Sequence, residues 1–159
     1  MSVAFTKEQD AESAAADLPD RPISQHPNLV TLEGLAALDA GLAAARAAWT
    51  SARSTGDVNT DRTAMARATR DLRYYSARRA NAQLITTETG SELIRFGGAF
   101  TLEREDGRRQ TFRIVGEDEA DPSRGSVSHI SPLAQAVLGK GVGEIAQLAG
   151  QDIEIIAVT

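Results

Sequence analysis

Residues 31–52 read TLEGLAALDAGLAAARAAWTSA, and residues 62–82 read RTAMARATRDLRYYSARRANA. In the first stretch Leu35, Leu38, Leu42, Ala45, Trp49 and Ala52 recur in alternating steps of three and four. In the second, Met65, Ala68, Leu72, Tyr75, Arg79 and Ala82 do the same. Each series is a stripe at a period of about 3.5, the repeat by which one helix covers the seam of another. Between them Ser54-Thr55-Gly56-Asp57-Val58-Asn59-Thr60-Asp61 is rich in turn and capping residues. Two stripes joined by a short polar link predict an antiparallel helical hairpin over 29–86, its tip at about 54–61. Thr31 is the candidate N-cap, and no proline interrupts between Pro27 and Pro122. The many alanines let the backbones approach closely but bury little area each. Arg79 departs from the stripe and is expected to snorkel from its end.

Working outward, the period changes from 3.5 to 2 after about Leu93. Phe96–Arg104 and Thr111–Val115 read as strands around Glu105-Asp106-Gly107, a hairpin turn signal. Ser126–Ile130 reads as a third strand. Ser131-Pro132 then opens a helix with Leu133, Ala134, Val137 and Leu138 on its apolar face, and Gly139 ends it. Ile153–Val158 closes the sheet. The fold class is therefore α+β: a helical coiled-coil hairpin followed by a small β-rich domain over 90–159. Upstream, residues 1–28 are rich in Ala, Asp and Glu and are broken by Pro19, Pro22 and Pro27. They read as a flexible extension, with a short helix conceivable over Lys7–Ala16.

Composition narrows the function classes. Hydrophobic residues are 42% and charged residues 25%, near the globular average, so a wholly disordered chain is excluded. There is no cysteine and there are two histidines, His26 and His129, which removes disulfide scaffolds and thiolate zinc sites. The start MSVAFTKEQDAESAAADLP lacks a basic-then-apolar order, and no run approaches the ~18 apolar residues of a membrane span. Cytoplasm is the expected location. A net charge of −5 does not advertise a nucleic-acid partner. Yet Arg53, Arg62, Arg67, Arg70, Arg73, Arg78 and Arg79 crowd the second helix and the tip. Arginine's planar fork suits phosphate, although a charged face is also the ordinary state of a solvated coiled coil. Gly139-Lys140-Gly141-Val142-Gly143 is not a phosphate-binding loop, since it follows no strand, and reads as a helix end and turn. Asp118, Glu119 and Asp121 form an acidic cluster on an expected surface loop, and His129 has no catalytic companion in any known arrangement.

Three blocks then carry a resemblance. Phe112-Arg113-Ile114-Val115-Gly116-Glu117-Asp118-Glu119-Ala120-Asp121, Ser131-Pro132-Leu133-Ala134 and Leu138-Gly139-Lys140-Gly141-Val142-Gly143 resemble the C-terminal domain of the GreA/GreB transcript cleavage factors. Val30-Thr31-Leu32-Glu33-Gly34-Leu35 resembles the opening of that family's first coiled-coil helix. Arg70-Asp71-Leu72-Arg73-Tyr74-Tyr75 and Asn81-Ala82-Gln83-Leu84 resemble its second. The resemblance covers 30–145. It implies an FKBP-like domain that grips bacterial RNA polymerase at the rim of the secondary channel through Asp118, Glu119, Asp121, Ser131, Pro132 and Leu133. It implies a coiled coil that passes down the channel, with Arg62, Arg67, Arg70 and Arg73 towards the nascent RNA 3′ end. It also implies a monomer with no membrane contact and no cofactor of its own. Such a protein is no enzyme, and at most stimulates the polymerase's intrinsic cleavage by helping to hold a second Mg²⁺ in the polymerase active site.

The chain departs from the family in three places. The family tip Gly-Asp-Leu-x-Glu-Asn-Ala-Glu-Tyr stands here as Gly56-Asp57-Val58-Asn59-Thr60-Asp61-Arg62-Thr63-Ala64. Asp57 matches the first acid, the second falls on Thr60, and Asp61 lies one position on. Asp57 and Asp61 are the candidate metal-assisting acids, and turn and N-cap residues on the competing reading. Both arms, Thr31 to Gly56 and Gly56 to Asn81, are about one heptad shorter than the family's, a loss of roughly 10 Å of reach. The tail after Gly143 lacks the family's Thr-Pro-Gly-Gly-containing hairpin, which leaves the pairing of the last strand open. The expectation is a Gre-family regulator of elongating or backtracked polymerase. The alternative is a non-cleaving competitor of the Rnk-like or anti-Gre-like kind. A prolyl isomerase is a distant third, because an aromatic-lined pocket would have to come from Phe96, Phe100 and Phe112 alone.

Overall fold

The computed structural model describes residues 18–54 and 58–159, with the side chains of 58–61 outside the description. The order is β1 (Asn28–Val30), α1 (Leu32–Ser54), α2 (Val58–Ala80), β2 (Ala82–Leu84), β3 (Ala99–Arg104) and β4 (Arg109–Val115). A 3₁₀ turn (Pro122–Arg124), β5 (Ser126–Ser128), α3 (Pro132–Val137), β6 (Ile145–Leu148) and β7 (Gln151–Val158) follow. Two compact units result. Among the described residues, one comprises 18–25 with those of Leu38–Asn81, and the other His26–Ala37 with Ala82–Thr159.

In the helical unit Leu38, Leu42, Ala45, Ala52 and Ala68 are buried, as the two stripes require. Asp39 pairs with Arg79, and Gly41 lies under the Tyr75 ring. As numbering rises along α1 it falls along α2, so the helices run antiparallel. The second helix begins at Val58, which places Asn59, Thr60 and Asp61 in its first turn and shortens the expected link. Capping and acidic residues tolerate a first helical turn well, so composition alone cannot separate tip from helix start. Arg79, the cation in the stripe, is partly exposed and pairs with Asp39 of α1, while its neighbour Arg78 is buried at 1% exposure.

The β unit contains a five-stranded sheet in the order β5-β4-β3-β7-β6, antiparallel except for the β4–β5 pair. Asp106-Gly107 makes the β3–β4 turn, with Gly107 at φ +82°. The strand expected from Phe96 begins only at Ala99, because Gly97 takes φ +81° and turns the chain first. The third strand stops at Ser128 and runs parallel to β4. The open question of the tail resolves into a hairpin. Leu148 faces Gln151 across Ala149 and Gly150, both at positive φ (51° and 78°), the geometry of a type I′ turn. Ile94, Phe100, Leu102, Ile114, Val137, Ile153 and Ile155 fill the core between the sheet and α3. Outside that sheet, β1 and β2 form a short parallel pair, Asn28 to Ala82 through Val30 to Leu84. Among the described residues no helix is long and apolar enough to cross a membrane.

Candidate functional site

Because β4 and β5 are parallel, the segments that leave them emerge at the same end of the sheet. The His129 amide donates to the Val115 carbonyl at 2.9 Å and holds the two exits side by side. One exit is the loop 116–121, which carries the acidic cluster. The other runs through His129 into Ser131 and α3.

Local chemistry fixes the first exit. The amides of Glu119 and Ala120 both donate to the Gly116 carbonyl, closing a tight turn (3.2 and 3.1 Å). Gly116 itself is buried against β1: a Cβ there would stand 2.4 Å from the Leu29 carbonyl oxygen. The turn aims Glu119 at the start of α1, where the Thr31 hydroxyl lies 2.8 and 2.6 Å from its two carboxylate oxygens. The same hydroxyl accepts the Gly34 amide at 3.0 Å, so Thr31 is the N-cap its sequence position predicts. A carboxylate beside a helix N-terminus is also favoured by the dipole. Asp121 caps the 3₁₀ turn, accepting from the Ser123 amide and hydroxyl. Asp118 faces solvent.

At the second exit Ser131 caps α3 by accepting the Ala134 amide at 3.2 Å. Pro132 is exposed, whereas Leu133 is 8% exposed and belongs to the core. His129 is buried with its ring edge-on to Phe96, which makes it a packing residue. Of the six residues grouped from the sequence, Asp118 and Pro132 thus present side chains to solvent. Glu119, Asp121 and Ser131 are engaged within the chain, and Leu133 is enclosed.

Sequence reading passed over an apolar element close by. Leu32 is 69% exposed, and with Leu84 and Ile85 it lines a small cavity of about 140 Å³ beside Thr31 and Arg113. Its signal was available, since Leu32 stands off the Leu35–Leu38 stripe in the first turn of α1. Arg113 donates to the Gly97 carbonyl and faces Glu33. Glu33's carboxyl is held below its ordinary range by its own backbone amide first, and by Arg113 next.

On the helical unit, Arg62, Arg67 and Arg73 are exposed and Arg70 half-buried. Arg67, Arg70 and Arg73 recur every three residues and so share one side of α2. Arg70 lies 3.4 Å from Asp71, and Arg73 3.1 Å from Asp20. Asp57 lies outside the described residues. Asp61 falls in the first turn of α2, with its side chain likewise outside the description. Lys7–Ala16, the conceivable short helix, is outside it too. Among the described residues no group of three or more His, Asp and Glu side chains could hold a metal ion. A larger groove of about 1080 Å³ in the β unit is lined by Leu93, Arg113, Val142 and Val158 with polar loop residues, and no aromatic ring faces it.

Residues 89–159 match the family model described as "Transcription elongation factor, GreA/GreB, C-term". The chain is 43% identical over 76 residues to transcription elongation factor GreA of Desulfovibrio desulfuricans, covering 46% of each protein. It is 36% identical over 95 residues to GreA of Thioalkalivibrio sulfidiphilus, covering 55% of this chain and 60% of that one. The matched stretch thus spans about half the length of these curated relatives. Among solved structures, GreA factor homolog 1 of Thermus thermophilus is similar at 21% identity, with a TM-score of 0.40 over 84% of this chain and 99% of that one.

Proposed function

We propose, on the premise that residues 89–159 belong to the GreA/GreB transcription elongation factor family, that this chain regulates elongating or backtracked bacterial RNA polymerase from its secondary channel without driving RNA cleavage. The observation that carries the reading is the pairing, in one chain, of that C-terminal domain with an antiparallel helical hairpin. Docking falls to the sheet end where β4 and β5 terminate. Asp118 and Pro132 offer a charged and an apolar contact there, and exposed Leu32 extends the apolar part. Glu119, Asp121 and Ser131 shape that surface through hydrogen bonds made within the chain.

The hairpin is the part that enters the channel. In this family tip carboxylates help to hold a magnesium ion that the polymerase owns, and that ion supplies water activation when bound. Magnesium takes hard oxygen donors in strict octahedral geometry. Here Thr60 stands at the second acidic position, and a neutral hydroxyl is a weaker donor than a carboxylate. Asp61 is next to it, in the first helical turn. Each helix has 23 residues, about 34 Å at ~1.5 Å per residue. A short hairpin with one matching acid suits a protein that occupies the channel and excludes cleaving factors. Along α2, Arg62, Arg67, Arg70 and Arg73 supply the face towards the transcript.

The direct test is association of the full chain with core RNA polymerase, followed by fluorescence anisotropy of a label on the β unit. Saturable binding that a GreA-type factor displaces is expected. No binding at tens of micromolar would contradict docking. The prolyl isomerase reading is disfavoured by the absence of aromatic lining in the large groove and by the burial of Phe100, 1% exposed.

A further inference from the structure

The sequence Pro19-Asp20-Arg21-Pro22 lies on α2 within the helical unit, although composition had assigned it to a free extension. The Arg21 guanidinium stacks 3.7 Å above the Tyr74 ring and 5.3 Å from that of Tyr75, and reaches Asp71 at 3.5 Å. Tyr74 and Tyr75 meet edge to face and form its platform. Cation–π stacking combined with a carboxylate is a stronger anchor than either alone. The two prolines fix their own φ, and Pro22 biases Arg21 towards extended backbone, so little entropy is lost when this short strap is laid down. Anchored by Arg21, the neighbouring Asp20 meets the Arg73 guanidinium at 3.1 Å.

We infer that residues 19–22 form an autoinhibitory strap whose Asp20 carboxylate occupies Arg73 in place of an RNA phosphate. This rests on the reading that the arginine side of α2 faces RNA. A carboxylate and a phosphate oxygen present the same chemistry to an arginine fork. Arg70 is similarly close to Asp71, at the same carboxylate oxygen that Arg21 reaches. Two arginines of the stripe are therefore covered by acids of the same unit, and an incoming transcript has to displace Asp20 to reach Arg73. The Asp20–Arg73 pair is largely exposed, 60% and 67%, so the competition is mild and reversible.

The test uses the full chain and a fluorescein-labelled single-stranded oligouridylate RNA at low salt, without polymerase. Asp20→Asn should tighten binding by about two- to fivefold, the range of a released surface pair. On an Arg73→Ala background the same change should give no gain. Glu154→Gln, which removes an exposed charge from β7, should not reproduce it. An equal gain from Glu154→Gln, or a gain that persists without Arg73, overturns the strap in favour of bulk charge. Wild-type binding that Asp20→Asn leaves unchanged overturns the strap alone. No RNA binding by any variant overturns the RNA reading of α2, and the strap with it. A gain towards RNA-free core polymerase but not towards RNA would assign the arginines to a protein surface and overturn the proposal as well.

Discussion

The Thr31 hydroxyl lies within 2.8 Å of both Glu119 carboxylate oxygens, linking the N-cap of α1 to the acidic loop after β4 across 88 residues. The contact joins two sequence signals that had been read separately, a helix start and a partner-binding acid. Thr31 is 2% exposed, and charge-assisted hydrogen bonds of this kind contribute about 1.5–3 kcal/mol. Glu119→Ala and Thr31→Val should each destabilise the protein by roughly that amount, with the double variant costing clearly less than the sum. Urea denaturation of the four proteins measures it. Additive losses would mean that the contact carries no coupling.

Gly116 answers to a different constraint. An added methyl would meet the Leu29 carbonyl oxygen at 2.4 Å, and that oxygen belongs to the β1 backbone. Gly116→Ala should therefore lower the melting temperature, by a cost of about 1–3 kcal/mol from overpacking. A neutral outcome would show that β1 moves aside freely.

In α1, helix propensity and packing oppose each other at Gly41. Gly to Ala in a helix interior gains about 1 kcal/mol from propensity. Here the new Cβ would stand 2.4 Å from the Tyr75 ring, which is itself held by Tyr74 and Arg21. Gly41→Ala should destabilise, and Gly41→Ala with Tyr75→Leu should recover most of the loss. Thermal melts followed by circular dichroism decide the sign.

The β3–β4 turn carries an acid-sensitive group. Asp106 is held below the ordinary aspartate range by the Arg108 backbone amide first, a small desolvation opposing it, then by the Arg108 side chain. Because the folded pKa is depressed, its contribution is present above the ordinary value of 3.8 and lost as pH falls through the folded value. An NMR titration of Asp106 should give a midpoint below 3.8, and Asp106→Asn should flatten the acid limb of stability in that range. A midpoint at or above 3.8 would remove the turn's role.

Both helices, the Asp106-Gly107 hairpin and the Ser131-Pro132 helix were legible, because each rests on local periodicity or capping chemistry. The β1–β2 pair was not, since Asn28–Val30 and Ala82–Leu84 are too short to show a period and meet only once the hairpin has closed. β6 was missed because its turn is Ala149-Gly150, where the usual signal is Asn-Gly or Asp-Gly. At the candidate site, residue types could not separate solvent-facing Asp118 from Glu119, whose carboxylate meets the Thr31 hydroxyl. That division depends on a contact 88 residues away. The strap was read as free chain for a related reason: prolines break helices, yet they also stiffen a segment that another surface can hold.

The most direct measurement is RNA 3′-end shortening in a stalled, backtracked complex, with the chain added alone and then against a GreA-type cleavage factor. No shortening from the chain alone, and a concentration-dependent block of the factor's cleavage, are the expected results. Rapid shortening by the chain alone, or cleavage by the factor that proceeds undisturbed, would contradict the proposed function.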